Sequence, residues 1–419
     1  MNIRDTKIIE RSDKGLSTEE LTSALLRSLE DKHPKKVLLL PPDYTRLYSG
    51  AGEITRIYYD ILSKYADVYV MPALGTHEPM TEGEIRAFFG DKIPLDKFIV
   101  HNWRDDVVKL GEVPAEFVRE VSEGVVDQSI DVEVNRILLD KSFDLIISAG
   151  QVVPHEVVGM ANYSKNIFVG CGGSSMINAS HMLGAFYGME RVMGKDGSPV
   201  RRVFDYAEEH FIADIPLMYV LTVTTNSGDK TNIHGLYIGR DRGLFEAAVV
   251  DSQRLNLNKV EPLKKVVVYL DPREFKSTWL GNKAVYRTRM AIEDGGELII
   301  LAPGVKKFGE DAENDRLIRK YGYVGRERVL ELVKENEDLR SNMSVAAHLI
   351  HGSSDGRFSV TYCTKELSRA EVEGAAFKYV PYDEIVKKYD PQKLKDGFCT
   401  VDGEKIYYIS NPALGLWTR

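Results

Sequence analysis

Cysteine is scarce in this sequence of 419 residues. Cys171, Cys363 and Cys399 are the only three, and they lie far apart. An odd number of distant cysteines forms neither a disulfide framework nor a cysteine-based metal site, so the sequence predicts a protein of the reducing cytoplasm. Long apolar runs are missing too. No run approaches the ~20 residues of a membrane-spanning helix, and residues 1–15 contain no apolar stretch of the signal-peptide type.

An excess of basic residues is also absent. Lys and Arg total 55 against 63 Asp and Glu, which gives a formal net charge of −8. A mildly acidic chain exerts no overall attraction on nucleic acid or on an anionic membrane, so we expect neither as a partner. With 43% hydrophobic residues, 34 Gly and 16 Pro, the composition is that of an ordinary globular protein, which excludes collagen-like, low-complexity and disordered classes.

Several common catalytic motifs are not found. The chain has no G-x-x-x-x-G-K-[ST] phosphate loop, no G-x-S-x-G elbow and no H-E-x-x-H helix. The glycine-rich residues 170–175 fail the G-x-G-x-x-G pattern, because Ser175 stands where the last glycine belongs. We therefore interpret Gly172-Gly173 as a tight backbone turn rather than a nucleotide cradle.

The first half of the chain contains short apolar runs that end abruptly in polar loops. These runs are residues 37–40, 68–71, 98–100 and 145–148, and a helical pattern covers residues 53–65. Ahead of them, Ser17 and Glu20 form a capping box that predicts a helix with Leu21, Leu25 and Leu29 on its apolar face. Short continuous apolar strands separated by helices predict an α/β fold with largely parallel sheets. In such sheets ligands bind beyond the carboxyl ends of the strands.

A second cycle of the same kind begins near residue 261. Strand-like runs cover residues 266–270 and 298–301, and helical patterns cover residues 282–293, 326–337 and 368–374. We predict two α/β domains, residues 1–260 and residues 261–384. Residues 385–419 contain a strand candidate that could return to the first domain. The cleft between the two domains is the predicted active site.

Histidines stand at the ends of several predicted strands. His77, His101 and His155 each follow one, and a neutral imidazole suits acid/base work near neutral pH. A lone loop histidine is usually structural, and three at neighbouring strand ends leave both interpretations open. His348 and His351 are three residues apart and could share a helix face, either as part of a metal site or as surface or interface residues.

Arg46 lies just past the first strand of the pattern, in the segment Asp43-Tyr44-Thr45-Arg46. It could form a surface pair with Asp43. It could also clamp a substrate carboxylate, because guanidinium binds carboxylates in a two-pronged fork. The sequence alone leaves both open.

Several segments resemble the lactate racemase family, whose enzymes use a nickel-pincer nucleotide. Residues 43–46 resemble its D-x-T-R segment, and residues 75–81 resemble its G-T-H-x-P-M-T segment. Pro154-His155, followed by Gly159 and Lys165, resembles its P-H-x-x-x-G-x-x-x-x-x-K segment. The segments occur in the family's order.

Two further spacings agree with this resemblance. His181 follows Lys165 by sixteen residues, as the family's nickel-binding histidine follows its cofactor lysine. Trp279 and Lys283 are four residues apart, where the family has an aromatic residue and a substrate-binding lysine. The chain is identified as a divergent member of the family.

The resemblance implies a cofactor and the residues that hold it. Lys165 would carry the nickel-pincer nucleotide through a thioamide. His181 would supply the protein ligand of nickel, with the pincer supplying sulfur, carbon and sulfur. Asp43 and Thr45 of the D-x-T-R segment would help to bind the cofactor. Cofactor-synthesis enzymes would be transient partners.

The resemblance also implies an isomerase that inverts C2 of a small-molecule 2-hydroxy acid. His77 and His155 would be the acid/base pair, and Arg46 and Lys283 would hold the carboxylate beside Trp279. One histidine would take the hydroxyl proton as hydride leaves C2 for the cofactor. Hydride would then return to the other face of the 2-keto acid, and the opposite histidine would supply the proton.

Two departures from the family bear on the substrate. The family has a glycine-rich stretch before the cofactor lysine, where this chain has residues 160–164 (Met-Ala-Asn-Tyr-Ser). It also has a glutamine where this chain has Leu280. The substrate therefore stays open between lactate and a different or larger 2-hydroxy acid, such as a sugar acid epimerised at C2. Two alternatives stay open: a pincer enzyme that catalyses net hydride transfer or isomerisation, and a non-enzymatic hydroxy-acid binding protein.

Overall fold

The computed structural model describes residues 5–227, 230–413 and 415–419. Residues 1–4 and 228–229 of the predicted first domain, and residue 414 of the C-terminal segment, lie outside it. Within the described residues, no helix combines the length and apolar character needed to cross a membrane.

The chain divides into two compact units. The first contains residues 1–187 and 192–256, and the second contains residues 188–191 and 257–419. Residues 385–419, for which the sequence left open a return to the first domain, lie in the second unit. The reason is strand pairing, because residues 404–409 pair with a strand of that unit's sheet.

The described residues up to Asn256 form ten strands and eight α-helices. The strands are β1 (Lys7–Arg11), β2 (Lys36–Leu40), β3 (Asp67–Val70), β4 (Val107–Val113), β5 (Ile130–Asn135), β6 (Leu145–Gln151), β7 (Pro154–His155), β8 (Gly159–Met160), β9 (Leu217–Ser227) and β10 (Lys230–Gly239). The helices are α1 (Thr18–Ser28), α2 (Ala51–Leu62), α3 (Glu82–Phe89), α4 (Ala115–Val121), α5 (Ser174–Tyr187), α6 (Met189–Val192), α7 (Pro199–Phe211) and α8 (Arg242–Asn256).

The main sheet of the first unit has the strand order β1-β10-β9-β6-β2-β3. The four strands β9, β6, β2 and β3 are parallel, and β10 and β1 add antiparallel to β9. Side chains alternate between two cores: Leu38 and Leu40 lie in one apolar cluster, and Val37 and Leu39 lie in the other. Both faces of the sheet are therefore covered, as expected for parallel strands with continuous apolar runs.

Local signals in the sequence explain the first helix. The Ser17 side chain accepts a hydrogen bond from Glu20 N at 3.2 Å, and Ser17 N donates to the Glu20 carboxylate at 2.7 Å. The predicted capping box and the buried face of Leu21 and Leu25 are confirmed. The prediction of a strand at residues 98–100 was wrong. This segment makes one isolated bridge, between Phe98 and Val70, because a helical turn immediately precedes it.

The described residues from Leu257 onward form eight strands and eight α-helices. The strands are β11 (Leu257–Lys259), β12 (Leu263–Tyr269), β13 (Ile292–Ala302), β14 (Ser359–Thr364), β15 (Lys378–Tyr379), β16 (Gly397–Val401), β17 (Glu404–Ile409) and β18 (Leu416–Thr418). The helices are α9 (Thr278–Gly281), α10 (Lys283–Thr288), α11 (Ala312–Tyr321), α12 (Arg326–Glu335), α13 (Glu337–Arg340), α14 (Met343–His351), α15 (Arg369–Gly374) and α16 (Tyr382–Ile385).

The sheet of the second unit has the order β15-β14-β13-β12-β17-β16, and only β16 is antiparallel to its neighbour. The α/β class with largely parallel sheets is confirmed. The predicted helix over residues 282–293 is shorter than expected. The observed helix, α10, ends at Thr288, because β13 already begins at Ile292.

Candidate active site

The candidate site of the first unit lies beyond the carboxyl ends of three neighbouring strands. Asp43 follows β2, His77 follows β3 and His155 follows β6, and these strands are adjacent in the sheet. Because all three strands run parallel, the loops that follow them leave the same edge of the sheet. This is the region where the sequence places the chemistry.

Asp43 and His77 form a direct carboxylate–imidazole pair. His77 Nδ1 lies 2.5 Å from Asp43 Oδ2, and the Asp43 side chain is only 5% exposed. An ionised carboxylate only accepts hydrogen bonds, so Nδ1 of His77 is the donor. The other ring nitrogen, Nε2, is therefore the atom that can exchange a proton with a ligand.

The second oxygen of Asp43 organises the turn that carries Arg46. Asp43 Oδ1 accepts from Thr45 N at 3.1 Å and from Thr45 Oγ1 at 2.5 Å. Arg46 Nη1 in turn donates to Thr45 Oγ1 at 2.7 Å and to Thr45 O at 3.3 Å. The segment of residues 43–46 and His77 thus form one hydrogen-bonded group.

Electrostatics keep Asp43 ionised. Burial raises the pKa of the Asp43 carboxyl, but the charge and hydrogen bond of His77, the charge of Arg46 and the hydrogen bond of Thr45 outweigh burial and bring this pKa to about 2. Asp43 is therefore a carboxylate at every physiological pH and can stabilise a protonated His77.

His155 has a looser carboxylate neighbour. Its Nδ1 accepts a hydrogen bond from Val157 N at 3.1 Å and lies 3.6 Å from Glu156 Oε2. With Nδ1 accepting, the ring proton of neutral His155 is on Nε2. The Glu156 carboxylate is close enough to stabilise a second proton on Nδ1.

Lys165 lies at the start of a one-turn π-helix that covers Asn166–Gly170. Asn166 fixes this turn, because its Nδ2 donates to Leu40 O at the end of β2 at 3.1 Å and to Ser148 Oγ within β6 at 2.9 Å. Single π-turns are frequent at functional sites. The turn places Lys165 beside the strand ends that carry Asp43 and His155.

The Lys165 amine is easier to deprotonate than an ordinary lysine. Burial, with a smaller contribution from the charges of Arg46 and Arg201, lowers the pKa of Lys165 to about 8 against the opposing charges of Glu156 and Asp43. With that pKa about a tenth of the amine is neutral at pH 7, and the neutral amine is the nucleophilic form.

His181 on α5 offers a single unprotonated nitrogen. Its Nδ1 lies 2.7 Å from Ile177 O, a carbonyl that can only accept, so Nδ1 carries the ring proton. Burial lowers the pKa of His181 to about 4 in spite of that hydrogen bond, with a further contribution from the Lys165 charge. A neutral ring with a fixed Nδ1–H and a free Nε2 is the usual state of a metal-binding histidine.

His101 is a structural residue in this arrangement. It is buried, its Nε2 is 3.1 Å from Gly172 O, and Asn135 Nδ2 lies 2.9 Å from its Nδ1. Burial lowers its pKa to about 4, so the ring is neutral. Both ring nitrogens are used within the protein, and His101 holds the loop ahead of α5.

The glycine-rich loop is closely packed, which supports its interpretation as a turn. A Cβ on Gly172 would lie 1.9 Å from Phe168 O, and a Cβ on Gly173 would lie 2.4 Å from the Glu133 carboxylate. Glu133 also accepts from Ser175 N at 2.9 Å. The first turn of α5 is thus capped by a carboxylate of the protein itself.

The two predicted site residues of the second unit have partners within that unit. Lys283 is 5% exposed, its Nζ is 3.5 Å from Glu274 Oε1, and it lies 5.4 Å from the centre of the Phe275 ring. The Glu274 side chain is 3% exposed. The sequence prediction did not include this buried ion pair, which already satisfies part of the lysine's charge.

Trp279 stacks on His348, with ring centres 4.2 Å apart. His348 Nε2 lies 2.9 Å from the Tyr323 hydroxyl, which is also 2.8 Å from Thr278 Oγ1. His348 and His351 are both buried, so the surface interpretation of this pair was wrong, because α14 packs inside the unit. Among the described residues, no three His, Cys, Asp or Glu side chains form a metal-binding cluster.

The sequence of the first unit is similar to known proteins. Residues 16–194, which carry every predicted site residue of the first unit, match the model of the lactate racemase N-terminal domain. Residues 16–194 therefore belong to the lactate racemase N-terminal domain family. The chain is 24% identical over 282 residues to the lactate racemase of Thermoanaerobacterium thermosaccharolyticum, a match that covers 64% of this chain and 60% of that relative.

Solved structures support the fold. A Thermotoga maritima protein of known crystal structure matches with a TM-score of 0.85 at 24% identity, covering 97% of this chain and 99% of the other. The lactate racemase apoprotein of Thermoanaerobacterium thermosaccharolyticum matches with a TM-score of 0.68 at 18% identity, covering 100% of this chain and 96% of the other. At these identities the two structures establish a shared fold.

Three residues near the site were not predicted from the sequence. Glu156 is visible only as the neighbour of His155, and its proximity to Lys165 and His181 emerges from the fold. Asn166 could have been suspected because it follows Lys165. Arg201 is one of two adjacent arginines on the amphipathic α7, and nothing in the pattern of that helix sets it apart.

Proposed function

We propose that the protein is a racemase or epimerase that inverts C2 of a 2-hydroxy acid with a nickel-pincer nucleotide joined to Lys165. The observation that carries this proposal is that each predicted acid/base histidine has a carboxylate beside its Nδ1. Asp43 stands 2.5 Å from His77, and Glu156 stands 3.6 Å from His155. Inversion requires two groups that alternate between base and acid, and a carboxylate at Nδ1 stabilises the protonated form of each.

The residues present fit the proposed cofactor. Lys165 has a partly neutral amine that can form a thioamide, and its charge acts on His181, which places the two side chains near one another. His181 offers one nitrogen, and the described residues supply no further cluster of metal ligands. A metal at His181 would therefore take its other ligands from the cofactor. When bound, this cofactor supplies the acceptor for the C2 hydrogen.

The acid/base work of the mechanism belongs to the two histidines. Neutral His77 donates Nδ1–H to Asp43 and takes the substrate hydroxyl proton on Nε2. The resulting imidazolium is stabilised by the ionised Asp43, whose carboxylate is already in contact. His77 thus serves as base for one enantiomer and, once protonated, as acid in the reverse direction.

His155 performs the corresponding step for the other enantiomer. To donate a proton it first holds one on each ring nitrogen. Its Nδ1 then gives up the hydrogen bond from Val157 N and faces the Glu156 carboxylate instead.

Arg46 is the substrate-binding cation of the first unit. Its Nη1 is held by Thr45, and within the described residues its guanidinium makes no other hydrogen bond. The remaining donors of the fork are available for a carboxylate. Roles for Trp279 and Lys283 in substrate binding stay predictions, as does a cytoplasmic location.

Intact mass and nickel content after co-expression with the cofactor-synthesis enzymes test the proposal. We expect a cofactor-sized mass increase and near-equimolar nickel in the unmodified protein, and loss of both in Lys165→Ala. His181→Ala should keep the mass increase and lose nickel. Lys141→Ala, an exposed lysine, is the matched control and should behave like the unmodified protein.

Absence of both the adduct and nickel from the unmodified protein would contradict the proposal and favour the binding-protein alternative. A panel of enantiopure 2-hydroxy acids, analysed by chiral chromatography with the loaded protein, then identifies the substrate. Net oxidation without formation of the opposite enantiomer would favour the hydride-transfer alternative.

A further inference from the structure

The backbone just before Lys165 adopts a left-handed conformation at two successive residues that are not glycine. Asn162 has φ +64° and Tyr163 has φ +57°. Asparagine tolerates this region, but a tyrosine adopts it only where the surroundings enforce it. Neither position is a glycine, the residue that forms such a turn most easily.

A buried arginine on α7 holds both ends of this turn. Arg201 Nη2 donates to Met160 O at 2.8 Å and to Asn162 O at 3.0 Å, and Nη1 donates to Ser164 Oγ at 2.7 Å. Arg201 is fully buried. Its three hydrogen bonds all go to residues 160–164, so its guanidinium fixes the backbone that leads directly into Lys165.

The ring of Tyr163 is anchored separately. It packs against Tyr219 and Phe245, with ring centres 4.3 Å and 5.1 Å away, and its hydroxyl donates to Arg240 O at 3.0 Å. The Arg201 guanidinium lies 4.4 Å from the centre of the Phe245 ring. An aromatic cluster thus holds the Tyr163 side chain of the turn, and Arg201 holds the backbone of the turn.

Burying the Arg201 guanidinium costs desolvation free energy, so packing alone does not explain an arginine at this position. Within the described residues no carboxylate hydrogen-bonds Arg201, and its Nε is buried without a partner. An apolar side chain of similar size usually serves stability as well or better than a buried charge. What an apolar side chain could not provide is the set of three bonds to the turn.

We propose that Arg201 is a positioning residue for Lys165, which keeps the left-handed Asn162–Tyr163 turn closed and so directs the lysine toward the cofactor. This inference rests on the proposed function for the identity of the group that Lys165 carries. The closure of the turn by Arg201 is independent of it.

Amide hydrogen exchange of the cofactor-free protein tests the closure directly. In Arg201→Met we expect exchange over residues 160–165 to become at least about tenfold faster, with β2 and β6 unchanged, because only local opening is released. Arg202→Met is the matched control. Arg202 is the neighbour of Arg201 on α7, and its half-exposed side chain pairs with Glu120 at 3.4 Å. The control should exchange like the unmodified protein.

Cofactor loading of the same variants tests positioning. We expect the fraction of Lys165 that carries the adduct to fall at least about tenfold in Arg201→Met under conditions where the variant is fully folded, since small misplacements of a reacting group are costly. Arg202→Met should load normally. Should Arg201→Met fail to fold, Ser164→Ala removes one of the three acceptors and should give the same changes at smaller amplitude.

Unchanged exchange over residues 160–165 in Arg201→Met, or equally faster exchange across the whole unit, would overturn the proposal. So would normal loading of Lys165 in a variant whose turn has opened. If the unmodified protein itself takes up no cofactor, the proposed function fails, and the exchange experiment still decides whether Arg201 closes the turn.

Discussion

Replacing Asp43 with asparagine reverses the direction of one hydrogen bond while it keeps the shape of the site. In the native protein Asp43 Oδ1 accepts from Thr45 and Oδ2 accepts from His77 Nδ1. In Asp43→Asn, Oδ1 can still accept from Thr45, and the new amide nitrogen must donate to His77 Nδ1. The proton of neutral His77 then moves to Nε2, and the ring can no longer take a proton from the substrate there.

Two magnitudes follow. A carboxylate-to-amide change that fixes the wrong tautomer of a catalytic histidine costs up to about 10⁴-fold in kcat, so we expect a loss of about 10²- to 10⁴-fold with KM little changed. For stability, a carboxyl whose pKa falls from 3.8 to about 2 on folding contributes about 2 kcal/mol at neutral pH. Because the pKa of Asp43 is lowered, this contribution is present above about pH 4 and disappears as pH falls toward 2.

Turnover of the loaded enzyme and urea unfolding between pH 2 and 7 measure these effects, and ¹⁵N NMR of His77 reports its tautomer without any substrate. Asp60→Asn is the matched control, because Asp60 forms an exposed ion pair with Lys92. If Asp43→Asn folds, carries the cofactor adduct and keeps kcat within about threefold, the role assigned to Asp43 is refuted, since that tautomer change should cost far more.

Three smaller predictions concern single residues. Glu156→Gln should lower kcat about tenfold, because His155 loses the neighbouring charge that stabilises its protonated form; unchanged kcat in the loaded enzyme would argue against this pairing. His101 has its pKa lowered to about 4 by burial, so the folded protein should lose about 3 kcal/mol of stability as pH falls from 6.5 to 4. In His101→Gln the free energy of unfolding should fall less between pH 6.5 and 4 than in the unmodified protein. An equal fall in both proteins would contradict this prediction. Ser17→Ala removes the capping box of α1 and should cost ~1 kcal/mol in urea unfolding, with no effect on cofactor loading.

Local and periodic signals in the sequence were enough to predict the strands that precede Asp43, His77 and His155. The capping box at Ser17 and the buried runs of β2, β3 and β6 depend on neighbouring residues, and their strand ends carry Asp43, His77 and His155 as expected. The segment at residues 98–100 has the same apolar character but forms only one bridge, because strand formation there depends on what precedes it.

Contacts between residues that are far apart in the chain could not be predicted from sequence patterns. The pairing of Lys283 with Glu274 and the stacking of Trp279 on His348 depend on how the second unit folds. The three bonds from Arg201 to the Lys165 turn join residues about forty positions apart. A motif identifies which residue types are present, whereas these contacts determine which of them are available to a ligand.

The fate of the C2 hydrogen tests the central claim most directly. A 2-hydroxy acid that is enantiopure and deuterated at C2 is incubated with the loaded enzyme in ordinary water, and the product enantiomer is analysed for deuterium. The account predicts inversion with deuterium retained at C2, and loss of inversion in His77→Ala and His155→Ala. Inversion with deuterium washed out into solvent would contradict it, because the hydrogen would then have left C2 as an exchangeable proton.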